Sequence, residues 1–215
     1  MFYLVKTPWL IRKLFYPKYV WNIPGKEKKI YLTFDDGPHP VATNFVLEQL
    51  QKFNAKATFF CIGKNVITHP EIYKSIITQG HSIGNHTHDH LNGWKTSEEI
   101  YFRNIIEASR YMDSNLFRPP YGRITAFQAK QVMERMHYKI IMWSVLSGDF
   151  DLKLTDDDCY RNVTKTATSG SIIVFHDSEK SFPILKNILP KVLDYFKRKG
   201  YIFGNIYIEE PEVAK

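Results

Sequence analysis

The sequence predicts an α/β fold, a distorted parallel (β/α) barrel of about seven strands. Short runs rich in β-branched and aromatic residues alternate with longer stretches of helical periodicity along most of the chain. Such alternation calls for crossover connections, which place helices outside a parallel sheet. No glycine-rich phosphate loop follows the first strand. That weakens the dinucleotide-binding form of the alternative, an open doubly wound sheet. At 215 residues the chain suits one domain with a sizeable core.

Each element has a local reason. Residues 29–34 read as a strand that runs into the turn Asp35-Asp36-Gly37-Pro38. Residues 41–53 carry Phe45, Val46, Leu50 and Phe53 at helical spacing. A second strand covers 57–62, and a helix over 69–79 stops at Gly80. Residues 82–85 form a short third strand. The next helix starts near Ser97, where Ser-Glu-Glu suits an N-terminal cap. Residues 116–118 are a brief fourth strand cut off by Pro119-Pro120, and a helix follows over 126–136. Residues 138–145 read as a strong fifth strand. The helix over 155–168 opens on a threonine followed by acids. A sixth strand at 171–175, a helix over 184–198 ended by Gly200, and a seventh strand at 201–206 complete the order.

Composition narrows the function classes. Hydrophobic residues are 44% and charged residues 24%, ordinary for a globular chain. The 15% of aromatics is high and fits a core rich in Phe and Tyr, with a carbohydrate-binding surface as the alternative use. The formal net charge of +7 suits an anionic partner or a solvated basic surface. Lys and Arg are scattered, in groups no larger than Lys197-Arg198-Lys199, and no nucleic-acid motif is present, so nucleic acid is not expected as a partner. Cys61 and Cys159 are too few for a disulfide framework.

Residues 1–29 read as an aromatic, basic arm that packs on the catalytic domain of residues 30–215. Contact of this arm with a membrane surface is not expected, and no stretch is long enough to span a bilayer. The arm lacks the apolar run and cleavage site of a signal peptide, which predicts a cytoplasmic location, with association to the cell envelope as the alternative. Nothing in the pattern specifies an oligomeric state.

The unusual polar residues gather at one end of this scheme. Asp35 and Asp36 end the first strand, His86 and His90 follow the third, Arg118 ends the fourth, Asp149 follows the fifth, and His176-Asp177 end the sixth. All lie on the carboxyl side of their strands, the face on which parallel barrels build active sites. Adjacent strand residues point in different directions, so one carboxylate can hold a metal while its neighbour handles protons. Histidines four apart share a helical face and can meet one cation, with a carboxylate as third ligand. Two imidazoles and one carboxylate leave a position for water, as a catalytic zinc site requires. His88 is expected to point away, toward the surface. His39, His69, His81 and His137 lack such company and read as structural or surface residues.

These residues fall in ordered motifs: Thr33-Phe34-Asp35-Asp36-Gly37-Pro38, Gly84-Asn85-His86-Thr87-x-x-His90, Arg118-Pro119-Pro120-Tyr121-Gly122, residues 143–149, and residues 172–176. Together they resemble the motifs of the polysaccharide deacetylase (NodB-homology) family, carbohydrate esterase family 4, over about residues 30–206. The resemblance implies a distorted barrel and a metal-dependent hydrolase that removes N-acetyl groups from N-acetylhexosamine residues of a glycan, such as peptidoglycan, a chitin-like oligomer or a capsule polymer. It further implies Asp35 as general base, with Asp36, His86 and His90 as ligands of a divalent metal, zinc foremost and Co²⁺, Ni²⁺ or Mn²⁺ as alternatives. Arg118 would orient the base, the Tyr121 N–H would stabilise the oxyanion, and His176 would be the general acid, oriented by Asp149. Pro119, Tyr121, Trp143 and Val174 would contact the substrate, with Val174 where the family usually has Leu. The fourth motif departs from the family's Asp-x-x-Asp-Trp, reading Leu146-Ser147-Gly148-Asp149-Phe150. Two other readings are O-acetyl ester cleavage on xylan-like glycans and a non-catalytic glycan-binding domain. The complete set of base, triad and acid argues against the latter.

Overall fold

A computed structural model describes residues 5–8 and 18–207. Strand β1 (Lys29–Asp35) leads to helix α1 (Ala42–Lys52), β2 (Thr58–Cys61), α2 (Gly63–Thr68), α3 (Pro70–Thr78) and β3 (Ser82–Asn85). Then come α4 (Glu98–Ser109), β4 (Leu116–Phe117), α5 (Ala126–Glu134), β5 (Lys139–Ile140) and β6 (Val145–Leu146). Helix α6 (Asp156–Thr166), β7 (Ile172–His176), α7 (Phe182–Arg198) and β8 (Ile202–Gly204) finish the described chain. The strands form one curled parallel sheet in the order β5-β4-β3-β2-β1-β7-β6, and β8 pairs with the first half of β1. This is the distorted α/β barrel expected from the alternation.

The fifth expected strand differs most. Residues 138–145 do not form one strand: β5 pairs with β4 at one edge of the sheet and β6 with β7 at the other. The residues between them cross from edge to edge, so their backbone groups find partners off the sheet. The Arg118 Nε donates to Ile141 O and its Nη2 to Met142 O, both at 3.0 Å. On the outside, Met142 N donates to Val20 O and Leu146 N to Val5 O, at 2.8 and 2.9 Å. The described parts of the arm therefore satisfy polar backbone that a broken strand exposes. Most of the arm's aromatic residues, Phe2, Tyr3, Trp9, Phe15 and Tyr16 among them, lie outside the described residues.

Two helix starts carry details that the sequence did not give. The helix expected over 69–79 is α3, Pro70–Thr78, and the short helix α2 precedes it, the two being separated at His69 with φ −131° and ψ 58°. Pro70 follows, and a residue before proline is pushed out of the helical region. Ser97 occupies the N-cap position of α4, but its hydroxyl makes no cap hydrogen bond; Glu98 and Glu99 in the first turn supply the favourable charge instead. Thr155 caps α6 as its acidic context suggests, forming a reciprocal pair with Asp158.

The main core lies between β1, β2 and β7 and the helices over them. Helix α7 buries Ile184, Leu185, Ile188, Leu189, Val192, Leu193 and Phe196 along one stripe. Each such side chain contributes about 1.5–3 kcal/mol relative to exposure. Phe34, Phe59 and Phe175 stack across β1, β2 and β7 beneath the sheet's carboxyl end, with ring centroids 5.2 and 5.9 Å apart. Among the described residues no helix is long and apolar enough to cross a membrane.

Candidate active site

The carboxyl ends of the strands open into a cavity of about 310 Å³ whose lining includes Asp35, Asp36, His86, His90, Tyr121 and His176. Asp35 is the last residue of β1 and is 4% exposed, held in place by pairing on both sides. Asp36 is the first residue beyond the strand and adopts φ 85°, a left-handed conformation that reverses the chain. Its carbonyl accepts from Asn65 Nδ2 at 2.8 Å. The next residue, Gly37, has no room for a side chain, since an added Cβ would lie 2.1 Å from Asp177 Oδ2. Asp177 accepts from Gly37 N at 3.0 Å and from Thr43 Oγ1 at 2.5 Å, tying the end of β7 to the turn after β1. Burial and the nearby Asp36 charge push the Asp177 carboxyl up to about 8.

His86 and His90 do not share a helical face. The segment is a turn with Thr87 at φ 64° and His90 at φ 57°, which brings both rings toward Asp36 without helical geometry. Side-chain acceptors hold this turn. Asn85 Oδ1 accepts from Thr87 N at 2.8 Å, and Asn104 Oδ1 accepts from His88 N and Asp89 N at 2.8 and 2.9 Å. His88 leaves the cavity as expected but is half-buried, with its ring near Tyr111. His81 is a core histidine that accepts from Ala57 N, and His39 accepts from Val41 N and Ala42 N at the start of α1.

Asp36, His86 and His90 offer ligand atoms that all lie within 4.8 Å of one another. His90 Nε2 is 3.2 Å and His86 Nε2 3.7 Å from Asp36 Oδ1, an oxygen that is buried without a well-aligned hydrogen bond. His86 Nδ1 faces the Arg118 carbonyl at 2.7 Å. A carbonyl can only accept, so Nδ1 carries the proton and Nε2 turns its lone pair to the cluster. Burial pushes His86 down to about 4, which keeps the ring neutral. Burial raises the Asp36 carboxyl, but His90, His176 and His86 outweigh it and hold it well below the usual carboxylate range. A neutral imidazole lone pair, a second imidazole and an anionic oxygen lacking a hydrogen-bond partner fit a divalent cation.

Two charged pairs flank the cluster. Arg118 is fully buried and donates from Nη1 to Asp35 Oδ1 and to Thr33 Oγ1, both at 2.7 Å. Its guanidinium lies 4.1 Å from the Phe60 ring centroid. In the second pair, His176 Nδ1 meets Asp149 Oδ1 at 2.8 Å, while Asp149 Oδ2 accepts from His176 N and Oδ1 from Ser147 Oγ. Burial alone would lower the His176 ring, but the charge and hydrogen bond of Asp149 raise it to about 9. The site thus sets an Arg-bound carboxylate and a proton-bearing imidazole, register partners on β1 and β7, in one cavity with a candidate metal-ligand set.

The sequence model of the polysaccharide deacetylase family matches residues 22–141. The chain belongs to the polysaccharide deacetylase family. A peptidoglycan-N-acetylglucosamine deacetylase of Bacillus cereus is 36% identical over 205 residues, which cover 92% of this chain and 96% of that protein. A chitooligosaccharide deacetylase of Azorhizobium caulinodans is 34% identical over 164 residues, 73% of this chain and 77% of that one. The crystal structure of the Bc1960 peptidoglycan N-acetylglucosamine deacetylase superposes with a TM-score of 0.84 at 32% identity, covering 93% of this chain and 95% of its own.

Within this family member, the remaining expected positions fall as follows. Tyr121, Trp143 and Val174 line the cavity, whereas Pro119 is buried and does not. Tyr121 adopts φ 59° in the 3₁₀ turn Pro120–Gly122, with its ring 4.6 Å from that of His90. Gly122 leaves space for the Trp143 ring, since an added Cβ would lie 2.7 Å from its Cη2. Leu146 and Phe150, the departures in the fourth motif, also line the cavity, and Phe150 meets the His176 ring edge-on at 5.1 Å. Sequence reasoning gave no role to Asp177, Asn65, Ser147, Arg123 or Lys180. For Asp177 a signal existed, since a second acid at the end of a strand rarely lacks a partner when buried.

Proposed function

We propose that this chain hydrolyses the acetamide of N-acetylhexosamine residues in a glycan, with Asp36, His86 and His90 holding a divalent metal, zinc foremost. One observation carries the reading: Asp35, bonded by Arg118, and His176, bonded by Asp149, line a single cavity together with the Asp36–His86–His90 cluster. When bound, a divalent ion lowers the pKa of water and polarises a carbonyl.

The chain's own groups supply the proton handling. Asp35 accepts the proton of the attacking water, and Arg118 holds that carboxylate in place through the 2.7 Å bond from Nη1 to Oδ1. The tetrahedral oxyanion is met by the Tyr121 backbone N–H, whose left-handed conformation turns that segment at the cavity wall. An amine leaves only once protonated. His176 holds that proton through neutral pH, because Asp149 raises it, and gives it to the leaving nitrogen. Val174, Leu146 and Trp143 form the apolar wall for the acetyl methyl group.

The related proteins named for peptidoglycan and chitooligosaccharide deacetylation support the substrate class. The experiment is acetate release from a panel of N- and O-acetylated glycans by metal-loaded protein, with metal content measured in parallel. The expected result is turnover of N-acetylglucosamine oligomers or peptidoglycan fragments. Activity confined to O-acetyl xylan would replace the reading with ester hydrolysis, and binding with no acetate release would replace it with a glycan-binding role.

A further inference from the structure

The aim of the Asp36 carboxylate depends on its backbone. Its Oδ1 lies 3.2 Å from His90 Nε2 and 3.7 Å from His86 Nε2, and the residue has φ 85°. A residue other than glycine keeps such a conformation only where its surroundings impose it. Here the surroundings converge on Asp177, which is fully buried. The Asp177 N–H donates to Asp35 O at 3.0 Å, and its Oδ1 accepts from Gly37 N at 3.0 Å. Asp35 O belongs to the peptide group before Asp36, and Gly37 N to the one after it. Asp177 thus binds both peptide planes whose rotation about the Asp36 Cα defines φ and ψ. The other polar atoms of these planes are also bonded. Asp36 N donates to Phe60 O at 3.3 Å, and Asp36 O accepts from Asn65 Nδ2 at 2.8 Å.

The Asp177 carboxylate is itself held. Its Oδ2 accepts from Thr43 Oγ1 at 2.5 Å, and Thr43 Oγ1 accepts in turn from His39 N at 2.7 Å. Gly37 lets the carboxylate approach the turn, since an added Cβ would lie 2.1 Å from Asp177 Oδ2. Asp177 directly follows His176, the register partner of Asp35, so it leaves β7 beside the turn that ends β1. None of its bonds reaches a ligand atom of the cluster. Its influence passes through the backbone of Asp36. Building on the metal-dependent acetamide-hydrolase reading, we propose that Asp177 is a positioning residue for the metal. Its carboxylate fixes the left-handed turn that aims Asp36 at His86 and His90. Groups that hold a ligand from behind are worth about 10–100-fold in metal affinity.

The test is the Zn²⁺ affinity of the full chain, measured by competition with a chromophoric chelator. Relative to wild type, Asp177→Ala should bind Zn²⁺ about 10–100-fold more weakly, and its Co²⁺-loaded form should show altered visible absorption, the signature of a changed ligand set. Asp177→Asn, whose Oδ1 still accepts from Gly37 N, should recover most of the affinity and the wild-type spectrum. A carboxylate acting on the cation through its charge alone would lose as much in Asp177→Asn as in Asp177→Ala. Equal weakening in the two variants therefore overturns the positioning role, and so do wild-type affinity and spectrum in Asp177→Ala. Where Asp177→Ala does not fold, Thr43→Val decides. It removes the donor to Oδ2 with little change of shape and should weaken Zn²⁺ severalfold, and unchanged affinity overturns the assignment. Metal binding without acetate release from any N-acetylated glycan would refute the acetamide reading and leave the role of Asp177 to be judged on the affinities. Wild-type protein that binds no Zn²⁺ would refute both.

Discussion

Replacing Arg118 by methionine removes more buried bonding than any other single change at the site. The wild-type guanidinium is fully buried and donates to Asp35 Oδ1, Thr33 Oγ1, Ile141 O and Met142 O at 2.7–3.0 Å. Methionine matches its length but none of its donors. The variant leaves the Asp35 carboxylate, itself 4% exposed, without its cation, and leaves two carbonyls of the edge-to-edge crossing without partners. Breaking a buried pair by removing one member costs about 3–5 kcal/mol, because the remaining charge stays desolvated. For a chain of this size each kcal/mol shifts the midpoint by about 2–4 °C, so Tm should fall by about 6–20 °C. Differential scanning calorimetry on metal-free protein measures this directly. Arg118→Lys keeps a charge but not the planar fork, and should lose roughly half as much. Adding Asp35→Asn to Arg118→Met removes the stranded carboxylate, so the double variant should be more stable than Arg118→Met alone. A melting point for Arg118→Met within about 2 °C of wild type would show that the guanidinium does not brace this end of the barrel.

The remaining predictions concern the chemistry. Exhaustive chelation should abolish acetate release and Zn²⁺ or Co²⁺ should restore it, while Asp36→Ala or His86→Ala should lose most bound metal by atomic absorption; full turnover by metal-free protein would end the proposal. Asp35→Asn should keep near-stoichiometric metal while kcat falls by roughly 10² or more, the usual effect of losing a general base, and joint loss of metal and activity would reverse the assignments of Asp35 and Asp36. His176 is raised from 6.5 to about 9, chiefly by Asp149 against the lowering effect of burial, so the basic limb of the kcat/KM profile should lie near 9 and move to lower pH in Asp149→Asn, where only the Asp36 and Asp35 charges still oppose burial. The same shift acts on stability: a folded-state pKa above the unfolded one means that the His176–Asp149 pair stabilises fully below about pH 6.5 and that this contribution is lost as pH rises through about 9. An unmoved basic limb in Asp149→Asn would uncouple the two residues.

What could be read from the sequence, and what could not, divides by the range of the interactions involved. Asp35, Asp36, Arg118 and His176 were readable because each ends an apolar run, and strand ends of a parallel sheet share one face. The crossing between β5 and β6 was not readable. Its residues, Ile141, Met142, Trp143 and Ser144, have the composition of a strand, and the break arises because the two halves pair with opposite edges of the sheet. The conformation of the histidine segment was hidden for a similar reason. Spacing alone allowed a helix, but Asn104 on α4 supplies the acceptor that holds His88 N and Asp89 N in a turn.

Further polar residues hold the members of the site in place. Asn65 fixes the Asp36 carbonyl, Asp177 fixes Gly37, Ser147 fixes Asp149, and the Arg118 carbonyl fixes the proton on His86. Each holds one member of the site through a hydrogen bond, and those of Asp177, Ser147 and the Arg118 carbonyl are buried. Arg118 joins two of these functions, since its side chain bonds Asp35 while its backbone carbonyl sets the tautomer of His86, a proposed metal ligand. A substitution there acts on the base through the lost guanidinium, and on the histidine only if the backbone shifts. Metal affinity that survives in Arg118→Lys while kcat falls would therefore separate the side chain's contribution from the carbonyl's.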